Sequence, residues 1–163
     1  MDASIWKKRK TYSFDTELWL PIPREEVFQF FADARNLQKI TPPWLRIQIL
    51  TRGPIEMKPG TRIDYRLRLH GIPLRWQSEI TTWEPPYRFV DQQRRGPYPL
   101  WVHEHTFLEQ YDGTLARDHV EYGVPGGSLI NRLLVRPDLE KIFKYRHQRL
   151  DAVFRKRDPG MGV

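Results

Sequence analysis

Apolar and polar residues alternate along most of the chain, and breaks in the alternation divide it into elements. From Thr11 to Leu20, Tyr12, Phe14, Leu18 and Leu20 fall on alternate positions against Ser13, Asp15 and Glu17, which predicts a half-buried strand. Pro21 and Pro23 end it; Pro23 suits the first position of a helix, and Glu25 and Glu26 suit the positive end of its dipole. Val27, Phe28 and Phe31 follow at helical spacing, and a second short helical piece covers Asn36 to Ile40, stopped by Thr41-Pro42-Pro43.

Period two then resumes. Leu45–Thr51 is one run, closed by Gly53-Pro54. Thr61–His70 carries Ile63, Tyr65, Leu67 and Leu69 on one face and Arg62, Asp64, Arg66 and Arg68 on the other. Leu74–Trp83 returns with Leu74, Trp76, Ser78 and Ile80 facing together. Arg88–Arg94 is a short strand in which Phe89 and Val90 compete for the inward face. Leu100–Gln110 and Leu115–Val124 form a hairpin around Asp112-Gly113, a strong turn signal. A two-residue turn there pairs Tyr111 with Thr114, and puts His103 opposite Tyr122, His105 opposite Val120 and Phe107 opposite Asp118.

Ser128–Val135 reads as a short helical stretch, after which Pro137 opens the last helix. Leu139, Ile142, Phe143, Leu150, Val153 and Phe154 mark its apolar face. The order is strand, two short helices, six strands and a long amphipathic helix. An antiparallel sheet covered by helix on one face is an α+β architecture.

With 163 residues, the expectation is one domain over 1–163, its core about 11–156. The absence of cysteine excludes disulfides, thiol chemistry and cysteine-bound zinc. Aromatics make up 13%, which argues against disorder. No apolar run approaches the ~18–20 residues that span a bilayer, and the N-terminus lacks the apolar core of a secretory signal. A cytoplasmic address is expected. The net charge of +7 suits anionic partners. Lys7-Lys8-Arg9-Lys10 and Arg155-Lys156-Arg157 read as solvated tails. There is no phosphate-cradling loop, dinucleotide fingerprint or serine nucleophile elbow.

Particular stretches look familiar. They are Leu20-Pro21-Ile22-Pro23-Arg24-Glu25-Glu26-Val27-Phe28, Asn36-Leu37 with Ile40-Thr41-Pro42-Pro43-Trp44, Trp83-Glu84-Pro85-Pro86, and Gly96-Pro97-Tyr98 followed by Trp101-Val102-His103-Glu104-His105-Thr106-Phe107. Together with the element order they resemble the SRPBCC superfamily of START and Bet v 1-like proteins, in its bacterial ligand-binding and polyketide cyclase/dehydrase-like branch. The resemblance implies a helix-grip fold: seven curved antiparallel strands around the C-terminal helix, with a cavity between sheet and helix. It also implies a hydrophobic or aromatic ligand, lipid- or polyketide-like, and in some members cyclisation or dehydration. It does not choose between carrier and enzyme.

Within that frame, Trp101, His103, His105 and Phe107 share one strand face, roughly 6.6–6.8 Å apart in steps of two. Placed inward, the two imidazoles have four readings. They are structural histidines satisfied by Tyr122, Asp118 or backbone, polar anchors for a ligand, general acid and base, or metal ligands with Asp118 as the nearest third donor. His103 and His105 are the catalytic candidates; no metal and no cofactor is assigned. Tyr65, Trp76, Trp101, His103, His105, Phe107, Tyr122, Phe143 and Arg146 are the expected ligand-binding set. Arg146 borders the apolar helix face, either snorkelling to water or presenting its guanidinium to a ligand carboxylate or to Asp118. The alternative function is binding of nucleic acid or an anionic surface through Arg62, Arg66, Arg68 and Arg75, which Asp64, Gln77 and Glu79 interrupt.

Overall fold

The computed structural model describes residues 10–155. Lys7-Lys8-Arg9 and Lys156-Arg157 lie outside them. Strand β1 (Thr11–Leu20) leads into helix α1 (Arg24–Ala32), with Pro23 as its N-cap and Glu25 and Glu26 in its first turn. Asp33 then caps a 3₁₀ turn, its side chain accepting from the Arg35 N–H, and α2 (Leu37–Ile40) follows. The remaining strands are β2 (Gln48–Ile49), β3 (Arg62–Leu69), β4 (Ile72–Glu84), β5 (Arg88–Arg95), β6 (Trp101–Gln110) and β7 (Gly113–Gly123). Only two residues of the Leu45–Thr51 run pair as strand, because Pro43–Leu45 forms a 3₁₀ turn closed by Arg46 in the left-handed region.

Among the described residues, seven strands form one antiparallel sheet in the order β1-β7-β6-β5-β4-β3-β2. Strands β2 to β7 pair in sequence order, while β1 pairs with β7 and so lies at the opposite edge from β2. Helix α3 (Gly127–Ile130), a π-helical turn (Asn131–Val135) and α4 (Arg136–Arg155) run on without a gap. Two separate helices were expected around Pro137. The proline instead sits inside the run, as the second residue after the π turn. Proline has no N–H to donate and its ring crowds the carbonyl four residues back, and a widened turn accommodates that without ending the helix.

The sheet's apolar face meets α4. Leu150 and Phe154 pack with Leu20, Val27, Phe28 and Phe107 at one end; Leu139 and Phe143 pack with Phe14, Val120 and Tyr122 at the other. This is the α+β helix-grip arrangement anticipated from the alternation. On the outer face, Arg62, Arg66, Arg68 and Arg75 are exposed as expected, and Arg62 and Arg94 both bind Glu79.

The β6–β7 hairpin departs from the expected register. Gln110 pairs with Gly113, so the turn residues are Tyr111 and Asp112. Moving the turn one residue earlier shifts every pair by two. His103 therefore faces Val120, His105 faces Asp118 and Phe107 faces Ala116, while Trp101 takes Tyr122. Tyr111 adopts φ 55° in the turn. Gly113 is needed for closeness: a Cβ there would collide with the Leu20 carbonyl oxygen.

Candidate functional site

A cavity of about 220 Å³ lies between the sheet and α4. Its sheet wall is made by Ile63, Tyr65 and Leu67 of β3, Trp76, Ser78 and Ile80 of β4, Phe89 and Asp91 of β5, and Trp101, His103 and His105 of β6. Leu139, Ile142, Phe143 and Arg146 of α4 close it on the helix side, and Phe31, Ala34, Leu37 and Ile40 form one end. These positions follow from the two periodicities: inward strand residues recur every second position, and 139, 142, 143 and 146 recur on one helix face.

Of the expected ligand-binding residues, Tyr65, Trp76, Trp101, His103, His105, Phe143 and Arg146 line this space. Phe107 and Tyr122 face the same way but do not reach it. Phe107 is 1% exposed, its ring 5.5 Å from Phe28 and 5.1 Å from Phe31. Tyr122 is fully buried against Tyr12, and its hydroxyl donates to Asn131 Oδ1. Both are core residues because α1 and the start of the C-terminal helix run cover the ends of the sheet. Trp44 sits on the 3₁₀ turn between the cavity-lining residues Thr41 and Leu45, exposed, with its ring edge against Tyr145.

Most of the wall is hydrocarbon and aromatic ring. One corner is not. His103 Nε2 lies 2.8 Å from Asp118 Oδ1, and His105 Nε2 lies 3.0 Å from Asp91 Oδ2. His105 Nδ1 is also 3.0 Å from Asp118 Oδ1, but off the axis of a hydrogen bond, so that contact is one of charge. The two imidazoles lie tilted against each other with centroids 3.8 Å apart, and His105 stacks on Phe89 at 4.1 Å. Among the described residues, the Arg146 guanidinium makes no hydrogen bond and no ion pair, and its Nε is buried without a partner. It lies over the rings of Phe31 and Phe143 at 5.5 and 5.7 Å.

The charges sort themselves. Burial pushes the His103 imidazole down, the adjacent His105 charge adds to this, and the Asp118 hydrogen bond does not make up the difference. Burial also acts against a charged His105, but Asp118 and Asp91 at its two nitrogens outweigh it and raise its pKa. Burial would raise Asp118; the Arg146 charge, the hydrogen bond from His103 and the close approach of His105 hold it well below the usual carboxylate range. Asp91 is lowered in the same way against its burial, chiefly by His105 and His103. The corner therefore favours ionised carboxylates, and of its two imidazoles His105 is the one disposed to hold a proton and His103 the one disposed to be neutral. Since a carboxylate only accepts, neutral His103 must carry its proton on Nε2. Its Nδ1 is 3.9 Å from Asp91 Oδ2, beyond hydrogen-bond reach, and keeps a free lone pair.

Asp91, His103 and His105 also bring three ligand atoms within 4.8 Å of one another, a donor set that a divalent ion takes. His105 Nε2 and Asp91 Oδ2 lie 3.0 Å apart, a separation that suits a hydrogen bond and equally two donors on one ion. The Arg146 charge, which acts on Asp91, opposes a cation at this corner and favours the hydrogen bond.

Asp91 was not among the expected site residues. Its signal was Phe89, two positions earlier: once Phe89 is placed inward, Asp91 must face the same way. Val90 is buried as well, and its burial hid the choice.

The family described as polyketide cyclase / dehydrase and lipid transport matches residues 20–150. No curated protein matches the chain by sequence. Among solved structures, protein Ms6760 from Mycobacterium smegmatis is similar with a TM-score of 0.66 at 18% identity, covering 90% of this chain and 92% of that one. Ara h 8.0201 gives 0.66 at 13% identity over 91% and 100%, and major latex-like protein 151 from Panax ginseng gives 0.65 at 12% over 88% and 97%. At these identities the likeness is one of fold. Among the described residues, no helix is long and apolar enough to cross a membrane.

Proposed function

Because the chain belongs to the polyketide cyclase/dehydrase and lipid transport family within the SRPBCC superfamily, we propose that it binds a hydrophobic or aromatic small molecule between sheet and α4 and acts on it by proton transfer. The observation that carries this is the cavity: largely apolar walls with one buried charged cluster, Asp33 and Asp138 lining it elsewhere and engaged by the Arg35 N–H and His70. Pockets of this kind take the ligand's body on apolar surface and fix its orientation with a few polar groups. About 220 Å³ compares with about 150 Å³ for a cavity that takes benzene, which points to a bicyclic body or a similarly sized part of a longer one.

The corner supports acid–base chemistry on an enolisable carbonyl compound. His103 Nδ1 removes a proton from the carbon next to the carbonyl, and the C–H electrons pass into the enolate. Asp118 holds the imidazolium so formed through Nε2. Where the adjacent carbon bears a hydroxyl, the enolate expels it as the His105 imidazolium supplies a proton. The products are water and a conjugated double bond. With a second carbonyl farther along the ligand instead, the enolate carbon attacks it, the new C–C bond closes a ring as the C=O π bond opens, and the alkoxide takes its proton from the His105 imidazolium.

Two measurements test this. N-phenyl-1-naphthylamine, a neutral fluorophore, is expected to bind saturably at one site per chain; a rise without saturation removes the binding proposal. 2-Tetralone in deuterated buffer is expected to exchange its α-protons faster with protein present, followed by proton NMR. His103→Gln keeps a donor for Asp118 but has no basic nitrogen. Equal exchange by that variant and the parent protein removes His103 as the base.

A further inference from the structure

Arg146 takes no part in the proton-transfer scheme, and unlike Asp91 it has no partner in the corner among the described residues. It is 9% exposed, on a helix face turned to the cavity, and among the described residues its donors meet no acceptor. Asp91 and Asp118 are near enough to feel its charge, yet both are engaged by imidazoles. A buried guanidinium carries five N–H groups in a planar fork, and buried donors are ordinarily satisfied. Its charge lies over the Phe31 and Phe143 rings, which offer no hydrogen-bond acceptor in the usual sense and leave its donors for something else.

We propose that the ligand carries an anionic oxygen group, a carboxylate or its equivalent, that seats on the edge of the Arg146 guanidinium while its aromatic or apolar body lies against Trp76 and Trp101. This rests on the cavity being the ligand site. It adds the ligand's chemical class and the end by which it is held. A carboxylate offers two oxygens spaced to match the fork, and such charge-assisted pairs are shorter and stronger than neutral hydrogen bonds. Water is excluded on the ring-lined sides, so the pair forms where screening is weak. A neutral ligand leaves the donors unmet, and a site with buried unpaired donors discriminates against the molecule that fails to pair with them.

The test uses two probes of nearly the same shape, 2-naphthoate and 2-naphthamide. Both are titrated at pH 7.5 by quenching of protein tryptophan fluorescence and by calorimetry. The parent protein is expected to prefer naphthoate about tenfold or more, the factor set by one hydrogen-bonded charge pair. Arg146→Met is expected to erase the preference and to keep naphthamide affinity within about threefold, since methionine retains the apolar contact. Arg146→Lys keeps charge but not the fork, and should retain only part of the preference. It also decides the matter should Arg146→Met fail to fold. Equal affinities in the parent protein, or a preference that survives both substitutions, overturns the anion proposal while naphthamide binding keeps the cavity as a ligand site. If neither naphthalene binds, the ligand-site reading itself falls, and the anion proposal falls with it.

Discussion

Replacing Asp118 by asparagine removes one charge from the corner with little change of shape. Asp118 is 7% exposed. Its Oδ1 is 2.8 Å from His103 Nε2 and 3.0 Å from His105 Nδ1. Opposite unit charges about 4 Å apart attract by about 4 kcal/mol at an effective dielectric near 20. Removing one member of a buried pair costs about 3–5 kcal/mol. The loss is capped, because His105 can shed its proton once Asp118 no longer holds it. The cap gives the effect a pH dependence. His105 has its folded pKa raised, so the stability it gains is fully present below its unfolded value of about 6.5 and is lost as pH rises through the folded value. Asp118→Asn should therefore destabilise by about 3–5 kcal/mol near pH 5.5. As pH rises through the folded His105 value the cost should fall toward about 1–2 kcal/mol, that of the lost His103 hydrogen bond. Urea unfolding followed by tryptophan fluorescence measures both, with unchanged slopes confirming that the denatured state is comparable. A penalty that stays constant from pH 5.5 to 9 would refute an imidazolium held by Asp118.

Two further expectations separate packing from site. Phe107→Ala should cost about 3–5 kcal/mol, as for other buried aromatics, while leaving N-phenyl-1-naphthylamine affinity within about threefold. Weak binding by a well-folded Phe107→Ala protein would put that ring in the cavity wall after all. Asp91 and Asp118 have depressed folded values, so their contribution is intact above the unfolded carboxylate value of about 3.9 and is lost as pH falls through the folded ones. Acid unfolding should steepen below about pH 4, and the double variant Asp91→Asn/Asp118→Asn should lack that step; a step of equal size in the double variant would place the responsible groups elsewhere.

The facing of β3, β4 and β6 was legible in the sequence because side-chain direction in a strand has period two, and one face of each carried the rings. Distance along the strand was not. Phe107 and Tyr122 have the parity of His103 and His105, but nothing in their spacing says that α1 and the start of the C-terminal helix run pack down on them. The β6–β7 register went astray by two because Asp112-Gly113 carries the usual turn chemistry, whereas the turn is made by Tyr111 and Asp112. Gly113 is there for its lack of a Cβ beside Leu20, a contact that exists only once β1 pairs with β7. Pro137 read as a helix start because a single proline cannot announce the π turn that carries the helix past it. The proton network is the least legible part: Asp91, His103, His105, Asp118 and Arg146 come from three strands and a helix, and only the His-x-His pair is local. Arg146 stood between solvent and cavity on spacing alone; its burial against Phe31 and Phe143 decides it.

Ile142→Trp puts an indole into the hollow from α4, where Ile142 lines the wall. Titration of this variant beside the parent protein with N-phenyl-1-naphthylamine, each checked for a native melting transition, bears most directly on whether the space is a binding site. A cavity that takes hydrophobic ligands requires one saturable site in the parent protein and its loss in the folded variant. Undiminished binding by Ile142→Trp would contradict it, placing the ligand somewhere other than between sheet and helix.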